Sequence, residues 1–506
     1  MGSAPVIPRL LIANRGEIAV RIIRACRELG IEPIAVYSEA DANALHVRLA
    51  DRAVPIGPAA PAESYLSIAG VIEAARSTGA QAIHPGYGFL SERPAFAEAC
   101  ARAGIAFVGP SADVIARMGS KVEARRLMQA HGVPVVPGET PSGQDLAALR
   151  TAAARVGYPV LLKPSAGGGG IGMRVVRQEA DLAAASEAAR REARSAFGDD
   201  VLYVERLIER ARHVEIQVIG DADGQVLHLF ERECSLQRRH QKVVEESPSP
   251  ALTPALRQRM AEAAIAAAGA AGYTNAGTIE FLVEGAGDEA RFYFLEMNTR
   301  LQVEHPVTEA VTGIDLVAAQ LRVASGEPLE WTQADVTSRG HALECRIYAE
   351  DPLRDFLPQA GRVVLYREPG GPGVRVDSGI GEGSEVPVQY DPLLAKLIVH
   401  AGTRRQAIAR VREALRSFVI LGIRTNIPYL LAVLDHPSFL GGDIDTRFLD
   451  RENGVLTEGL AAPPPDTVLA AAAMADASAT TFPPAGAVRE RSADPWSALP
   501  GWRMGG

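Results

Sequence analysis

Two short apolar stretches, "GTIEFLVE" and "RFYFLEMN", each carry a glutamate, Glu280 and Glu296, with the turn-like "EGAGDEA" between them. If these runs form an antiparallel hairpin centred near Asp288, Glu280 and Glu296 stand directly opposite one another. Like charges facing across a sheet are destabilising, so the pair needs a cation. Asn298 follows two residues later and shares the facing of Glu296 in extended backbone. Carboxylate and amide oxygens suit Mg2+ or Mn2+, with phosphate and water completing the shell. The stretch "EMNTRLQVEHP" continues the pattern, setting Glu296, Asn298, Arg300, Gln302 and Glu304 at every second position. Extended backbone would project these five from one side, with Met297, Thr299, Leu301 and Val303 on the other. A half-buried edge strand also alternates this way, but two carboxylates, two amides and a guanidinium form a set for holding a metal and an anion.

A second candidate lies upstream. "YPVLLKPS", "AGGGGIG" and "MRVVR" read as strand, loop and strand, a hairpin with a glycine-rich tip. Gly167 to Gly170 would leave amide N–H groups free to wrap an anion, and Lys163 adds a positive charge beside them. No Gly-Lys-Ser/Thr follows, so this is not a Walker A loop; it reads as a lid over phosphates. "RECSLQRRHQKVVEESP" crowds Arg238, Arg239, His240 and Lys242 beside Glu245 and Glu246. Such a run is often only a solvated face, but without clean amphipathicity it reads as an irregular loop contributing to a site. His213, taken alone, has the look of a structural histidine.

The elements that must position these groups follow from periodicity. "RLLIANR", "GEIAVRIIRACRELG" and "EPIAVYS" give strand, helix, strand, and "IAGVIEAARSTG", "QAIHP" and "IAFVGPS" repeat the order. This predicts a parallel sheet with helices on its faces. The turn "ANRGEIA" lies where such folds open a crevice, without the glycine spacing of a dinucleotide site. A helix over about 120–130 leads into a second unit, where "DVLYVERLI", "RHVEIQVIGD" and "GQVLHLFEREC" are strands. Asp223–Gly224 marks a hairpin between the last two. A helix over 254–272 precedes the paired glutamate strands. From about residue 340, "GHALECRIYAE", "RVVLYREP" and "VRVDSGI" predict a mainly β third unit, followed by the helix "RRQAIARVREALRS". The expected divisions are 1–118, 119–330 (with a lid at about 138–208) and 331–450, and 451–506 reads as an Ala- and Pro-rich linker.

At 506 residues the chain should hold two to four domains. Its net charge of −9 and lack of a basic block exclude a nucleic-acid footprint. Cys26, Cys100, Cys234 and Cys345 are scattered without CxxC spacing, as expected of reduced thiols. "RLLIA" is too short for a signal segment, no apolar run approaches a membrane span, and Val6 removes the myristoylation pattern at Gly2. A soluble, cytoplasmic protein is expected.

Taken in order, "NRGEIAVR", "HPGYGFLSE", "MGSK", "YPVLLKPSAGGGGIGMRVV", "RHVEIQV", "ECSLQRRHQKVVEE", "FLEMNTRLQVEHPVTE", "ECRIYAEDP" and "YDPLLAKL" closely resemble the biotin carboxylase family of ATP-grasp enzymes. The resemblance runs from about residue 8 to 450. "RIYAEDP", "GGDIDTRFL" and "DPWSALPGWR" look like the biotin-carrying subunits of acyl-CoA carboxylases. It implies a mixed α/β and α+β architecture: a parallel α/β domain, an ATP-grasp domain with a glycine-rich lid, and a mainly β C-terminal domain. It also implies that ATP phosphorylates bicarbonate to carboxyphosphate, which carboxylates the ureido nitrogen of biotin.

Carried over by position, Lys121, Lys163, Gly169, Gly170, Glu205, His213, Gln237 and His240 would hold ATP. The segment Glu205, Arg206, Leu207 and Ile208 would include the backbone against adenine. Glu280, Glu296 and Asn298 would ligate Mg2+ or Mn2+. Lys242, Arg300, Gln302 and Val303 would hold bicarbonate, with Glu304 as the base that deprotonates it. Arg346 would stabilise the biotin enolate, and Tyr87 would line the biotin pocket. The implied partners are a second copy of the chain, a biotin carboxyl carrier protein or domain, and a separate carboxyltransferase. No Ala-Met-Lys-Met biotinylation motif occurs, so either biotin is carried elsewhere or the chain is part of a longer polypeptide. The competing readings are another ATP-grasp ligase, such as a carbamoyl-phosphate synthetase-like protein, and a scaffold protein that has lost activity.

Two positions depart from the family pattern: Arg93 replaces an Asn, and Ile171 stands where the lid usually carries Lys or Arg. A charge-assisted contact is worth about 1.5–3 kcal/mol, and about 1.4 kcal/mol corresponds to a tenfold change. Ile171→Lys should therefore lower the KM for ATP roughly tenfold. An unaltered KM would show that another cation, such as Arg174, already fills the role.

Overall fold

Alternate residues of the first strand bury on opposite sides, and that single pattern sets the N-terminal architecture. The computed structural model describes residues 7–165, 172–239, 241–461 and 466–479. Strand β1 (Arg9–Ile12) sends Leu10 and Ile12 into a cluster with Ile18 and Ile22 of the following helix α1 (Gly16–Glu28). Leu11 packs the other way, against Val71 and Ala75 of the helix Ile68–Thr78. A strand covered on both faces belongs in a parallel sheet. β1 pairs in parallel with β2 (Glu32–Ser38) and β4 (Ala82–His84), and β3 (Arg52–Gly57) and β5 (Ala106–Phe107) complete the order β3-β2-β1-β4-β5.

The glycine-tipped hairpin forms as expected. β7 (Val160–Pro164) pairs antiparallel with β8 (Arg174–Val176) in a sheet ordered β6-β9-β7-β8, with β6 at Gly138–Glu139 and β9 at Leu202–Arg206. Helices Leu146–Val156 and Leu182–Phe197 bury Leu149, Ala152, Leu182 and Ala189 against it. Its tip, with Gly167 to Gly170 and Ile171, lies outside the described residues, as does His240.

The largest sheet has eight strands. It runs β14 (Arg291–Asn298), β13 (Asn275–Glu284), β10 (Ala211–Gly220), β11 (Val226–Arg238), β12 (Gln241–Ser247) and β15 (His341–Tyr348), then Leu393–Ala401 and Val374–Ser378. The Asp223–Gly224 turn joins β10 to β11, and Gly224 takes the left-handed φ of +88° that such turns favour in glycine. Helix Pro254–Ala271 packs Leu256, Met260 and Ala264 on one face, against Val214, Ile216, Ile279 and Phe281. Strand alternation then turns Glu215 and Glu280 to the other face.

The region from about 340 is mainly β, as expected, and extends the large sheet: β15 is buried along its whole length and pairs Val244 of β12 with Cys345, carrying the sheet across the expected division near 331. A strand buried on both faces must satisfy both of its edges, and β12 supplies one. Two expectations are corrected here. Residues 232–248 are not an irregular loop but the β11–β12 hairpin, whose register shifts on either side of Leu236 break the two-residue period. Within 451–506, expected as a linker, Asp466–Ala479 is helical and belongs to a compact unit that starts at Gly459; its alanine content favours helix. Among the described residues no helix is long and apolar enough to cross a membrane.

Arg232, 0 % exposed, ties the sheet to the helix below it. Its guanidinium donates to Glu215 (2.6 Å) and Gln217 (2.7 Å) on β10, to Thr278 (3.0 Å) on β13 and to Thr308 (3.0 Å) in helix His305–Thr312. Breaking a buried pair by removing one partner costs about 3–5 kcal/mol. Arg232→Met should therefore lower the urea midpoint markedly, and an unchanged midpoint would show that these bonds add little.

Candidate active site

The strand registers place three carboxylates in one row. Glu215 on β10 lies opposite Glu280 on β13, which lies opposite Glu296 on β14. The Glu280–Glu296 opposition is the one expected from the hairpin, and a register shift begins only at Phe281. Lys242 answers most of this charge. Its Nζ donates to Glu215 at 2.5 Å, to Glu280 at 2.8 Å and to Glu304 at 2.6 Å. Burial would lower the lysine pKa, but the three carboxylates outweigh it and hold it well above the usual range. The same ammonium keeps Glu215, Glu280 and Glu304 below the usual carboxylate range against the cost of burial. Glu215 also approaches His213 and Glu280, and Cys234 and Glu304, closely enough to form metal-like clusters. Lys242 already stands among those oxygens and meets much of their charge.

Glu296 differs. Burial and Glu280 raise its pKa, with Lys121 the main opposing charge. It makes no hydrogen bond or ion pair with a side chain among the described residues. Asn298 keeps a buried amide nitrogen without a partner. Both line a cavity of about 600 Å³ with Lys121, Met118, Phe89 and Glu92. The Glu296 carboxylate, with Glu280 opposite it and the Asn298 amide oxygen, which accepts only a long 3.3 Å bond from Arg300, offers oxygens that fit a hard divalent cation.

The alternating stripe from Glu296 to Glu304 does not run as one strand. β14 ends at Asn298, where its ladder to Thr278 stops, and Glu304 (φ −81°, ψ 10°) starts the helix His305–Thr312. Pro306 in the first turn favours that start. The residues still converge through their side chains. Arg300 donates to Asn298 (3.3 Å) and Gln302 (3.1 Å), and pairs with Glu92 at 3.1 Å. Gln302 donates to Glu280 at 3.3 Å, and Arg346 bridges Glu245 (2.6 Å) and Glu304 (2.9 Å). The Val303 carbonyl accepts from Lys396 at 2.9 Å.

His213 belongs to the network after all. Its Nε2 lies 3.2 Å from Glu280, and its Nδ1 lies 3.4 Å from the amide nitrogen of Gln237. Burial disfavours its charge, yet Glu280 and Glu215 push its pKa up to about 9.

Other expected residues stand apart from this network. Lys163 pairs with Glu205 at 2.5 Å, and Arg125 holds the second Glu205 oxygen at 2.9 Å. The Arg206 and Leu207 amides donate to the Pro137 and Pro159 carbonyls, which occupies those two N–H groups, and Ile208 packs with Val136 and Tyr293. Tyr87 donates its hydroxyl hydrogen to Glu17. Gly169, Gly170 and His240 fall outside the described residues. Arg174, the cation nearest Ile171 in sequence, is engaged by Glu192 at 2.6 Å and the Met173 carbonyl at 2.8 Å. Sequence reasoning missed Glu215, although "HVEIQV" sets it two residues from His213 on the same strand face. It also missed Arg232 and Glu92.

Comparison with known proteins places this geometry. Three family descriptions match in tandem: "Biotin carboxylase, N-terminal domain" over 6–115, "Carbamoyl-phosphate synthase L chain, ATP binding domain" over 120–332, and "Biotin carboxylase C-terminal domain" over 344–451. The chain belongs to the biotin carboxylase family. Among curated relatives, biotin carboxylase 1 of Bacillus subtilis is 53% identical over 88% of this chain and 98% of its own length. The biotin carboxylase of a Nostoc species is 52% identical over 88% of this chain and 99% of its own. The biotin carboxylase domain of Hydrogenobacter thermophilus 2-oxoglutarate carboxylase, solved as a dimer with MgADP, ADP and bicarbonate, superposes with a TM-score of 0.85 at 45% identity. That match covers 89% of this chain and 98% of that one. As a biotin carboxylase, the chain is an ATP-dependent ligase.

Proposed function

We infer that this chain catalyses the ATP- and bicarbonate-dependent carboxylation of biotin, the first half-reaction of an acyl-CoA carboxylase. The observation that carries the residue assignment is the convergence of Lys242, Glu304 and Arg346 beside the Glu280–Glu296 pair. Glu280, Glu296 and Asn298 would hold Mg2+ or Mn2+, which when bound neutralises phosphate charge. Lys121, Lys163, Glu205, His213 and Gln237, with the 205–208 backbone, would bind ATP, joined by Gly169, Gly170 and His240. Arg300, with Gln302 and Val303, would hold bicarbonate so that its oxygen meets the γ-phosphorus.

Glu304 is the base in this reading. Its carboxylate takes the bicarbonate proton, and Lys242 at 2.6 Å keeps it ionised until then. A base held below the usual range is weak, so the transfer must be driven by phosphoryl attack rather than precede it. Arg346 presents N–H donors to the ureido oxygen of biotin as charge develops there, with Tyr87 lining that pocket. The proposed domains are 1–118, 119–330 and 331–450, the last two sharing one sheet. Biotin would arrive on a carrier protein or domain, a carboxyltransferase would take the product, and the chain would work as a homo-oligomer in the cytoplasm. Bicarbonate-dependent ATP hydrolysis stimulated by free biotin tests the reading directly.

Glu296→Gln should largely abolish turnover, leave the fold intact and steeply raise the Mg2+ requirement. Normal ATPase activity with unchanged metal dependence would remove Glu296 from the metal site.

Arg346→Ala should separate the half-reactions, sparing bicarbonate-dependent ATP cleavage more than carboxybiotin formation. Equal loss of both would place Arg346 on bicarbonate or in the scaffold.

A further inference from the structure

The sheet contains a second pair of opposed carboxylates. Register sets Glu245 on β12 opposite Glu344 on β15, and both are 0 % exposed. Glu245 Oε1 accepts from Arg346 at 2.6 Å. The other three oxygens, Glu245 Oε2 and both of Glu344, are buried without a hydrogen-bond partner.

Among the described residues no cation pairs directly with Glu344. On its own strand, Arg346 shares the face and is divided between Glu245 and Glu304. Tyr348, two residues further, also faces Arg346. From Leu393–Ala401, Lys396 lies opposite Arg346. Its ammonium donates to the Val303 carbonyl at 2.9 Å and sits 3.2 Å from Glu17. From the start of helix His305–Thr312, Glu304 contributes another negative charge. Two buried anions side by side, with three unpaired oxygens, are costly, whereas a carboxylic acid facing a carboxylate removes one charge and joins two of those oxygens through one shared hydrogen. Burial, only partly offset by Lys396, and the neighbouring Glu245 hold Glu344 well above the usual carboxylate range. Burial also pushes Glu245 up to about 7 despite Arg346.

We propose that Glu344 is a protonated positioning residue, donating its hydrogen to Glu245 Oε2 so that the pair carries one negative charge and holds Arg346 in line between Glu245 and Glu304. Its consequence for turnover rests on the reading of Arg346 as the group that meets biotin. If the shared proton leaves, two negative charges on one side draw the guanidinium away from Glu304 and from the substrate. Activity in carboxybiotin formation then falls on the alkaline side.

Infrared difference spectroscopy of the full chain without nucleotide, wild type minus Glu344→Gln, should show the carbonyl stretch of a protonated carboxylic acid at neutral pH. Absence of that band overturns the proposal and says nothing about how Arg346 serves biotin. In kinetics, Glu344→Leu should slow carboxybiotin formation roughly tenfold, the effect of losing one buried hydrogen bond to a charged group. Glu344→Gln, whose amide still donates, should recover most of that loss and flatten the alkaline fall. Superimposable pH profiles of wild type and Glu344→Gln, or equal losses in the Leu and Gln variants, would overturn the idea. A band present while Arg346→Ala forms carboxybiotin normally would keep the shared proton and remove Arg346 from biotin.

Discussion

One lysine makes this site possible. Glu215, Glu280 and Glu304 are buried on three different elements, and none could stay ionised there alone. Lys242 Nζ, within 2.8 Å of all three, turns mutual repulsion into a shared attachment. Arg232 then secures Glu215 from behind, and Arg346 secures Glu304 from the side. Positions that look like independent ligands are thus one electrostatic body. It leaves Glu296, at the end of the carboxylate row, with its charge unmet by a close side chain. The most exposed need for a cation therefore falls next to the cavity, where a nucleotide would bring one.

The features legible in the sequence were those governed by neighbours in the chain. The opposition of Glu280 and Glu296 depends only on a short turn and the two-residue period of a strand, so it could be read directly. The parallel sheet around β1 was legible for the same reason, since each crossover is local. Glu215 escaped because its partner, Glu280, lies on a strand 65 positions further along, and nothing nearby indicates that β10 and β13 will pair. The continuous alternation through Glu304 misled for a related reason. Spacing of two implies one face only while the backbone stays extended, and here β14 leaves the ladder after Asn298 although β13 runs on to Asn275. The residues converge anyway, through long side chains instead of strand geometry.

The eight-stranded sheet also explains why the expected boundary near 331 is invisible in the hydrogen-bond ladder. β12 and β15 are both buried, and each supplies the edge that the other requires. Groups proposed for phosphate transfer and groups proposed for biotin thus stand on one rigid frame. The glycine-tipped hairpin belongs to a separate four-stranded sheet, so its strands share no ladder with that frame.

The β13–β14 hairpin has an asymmetry in how it tolerates change. Its last ladder pair joins Glu284 to Arg291, so residues 285–290 form a turn that carries no pairing. Residues gained or lost there leave every facing pair as it was. A single residue removed inside β14 would instead rotate all that follows to the opposite side of the sheet. Glu296 and Asn298 would leave the site together in one event, while the buried side chains beside them would be driven into water. Drift in the length of this family's chains should therefore collect in the turn and spare the strand, although the two lie within a few residues of each other.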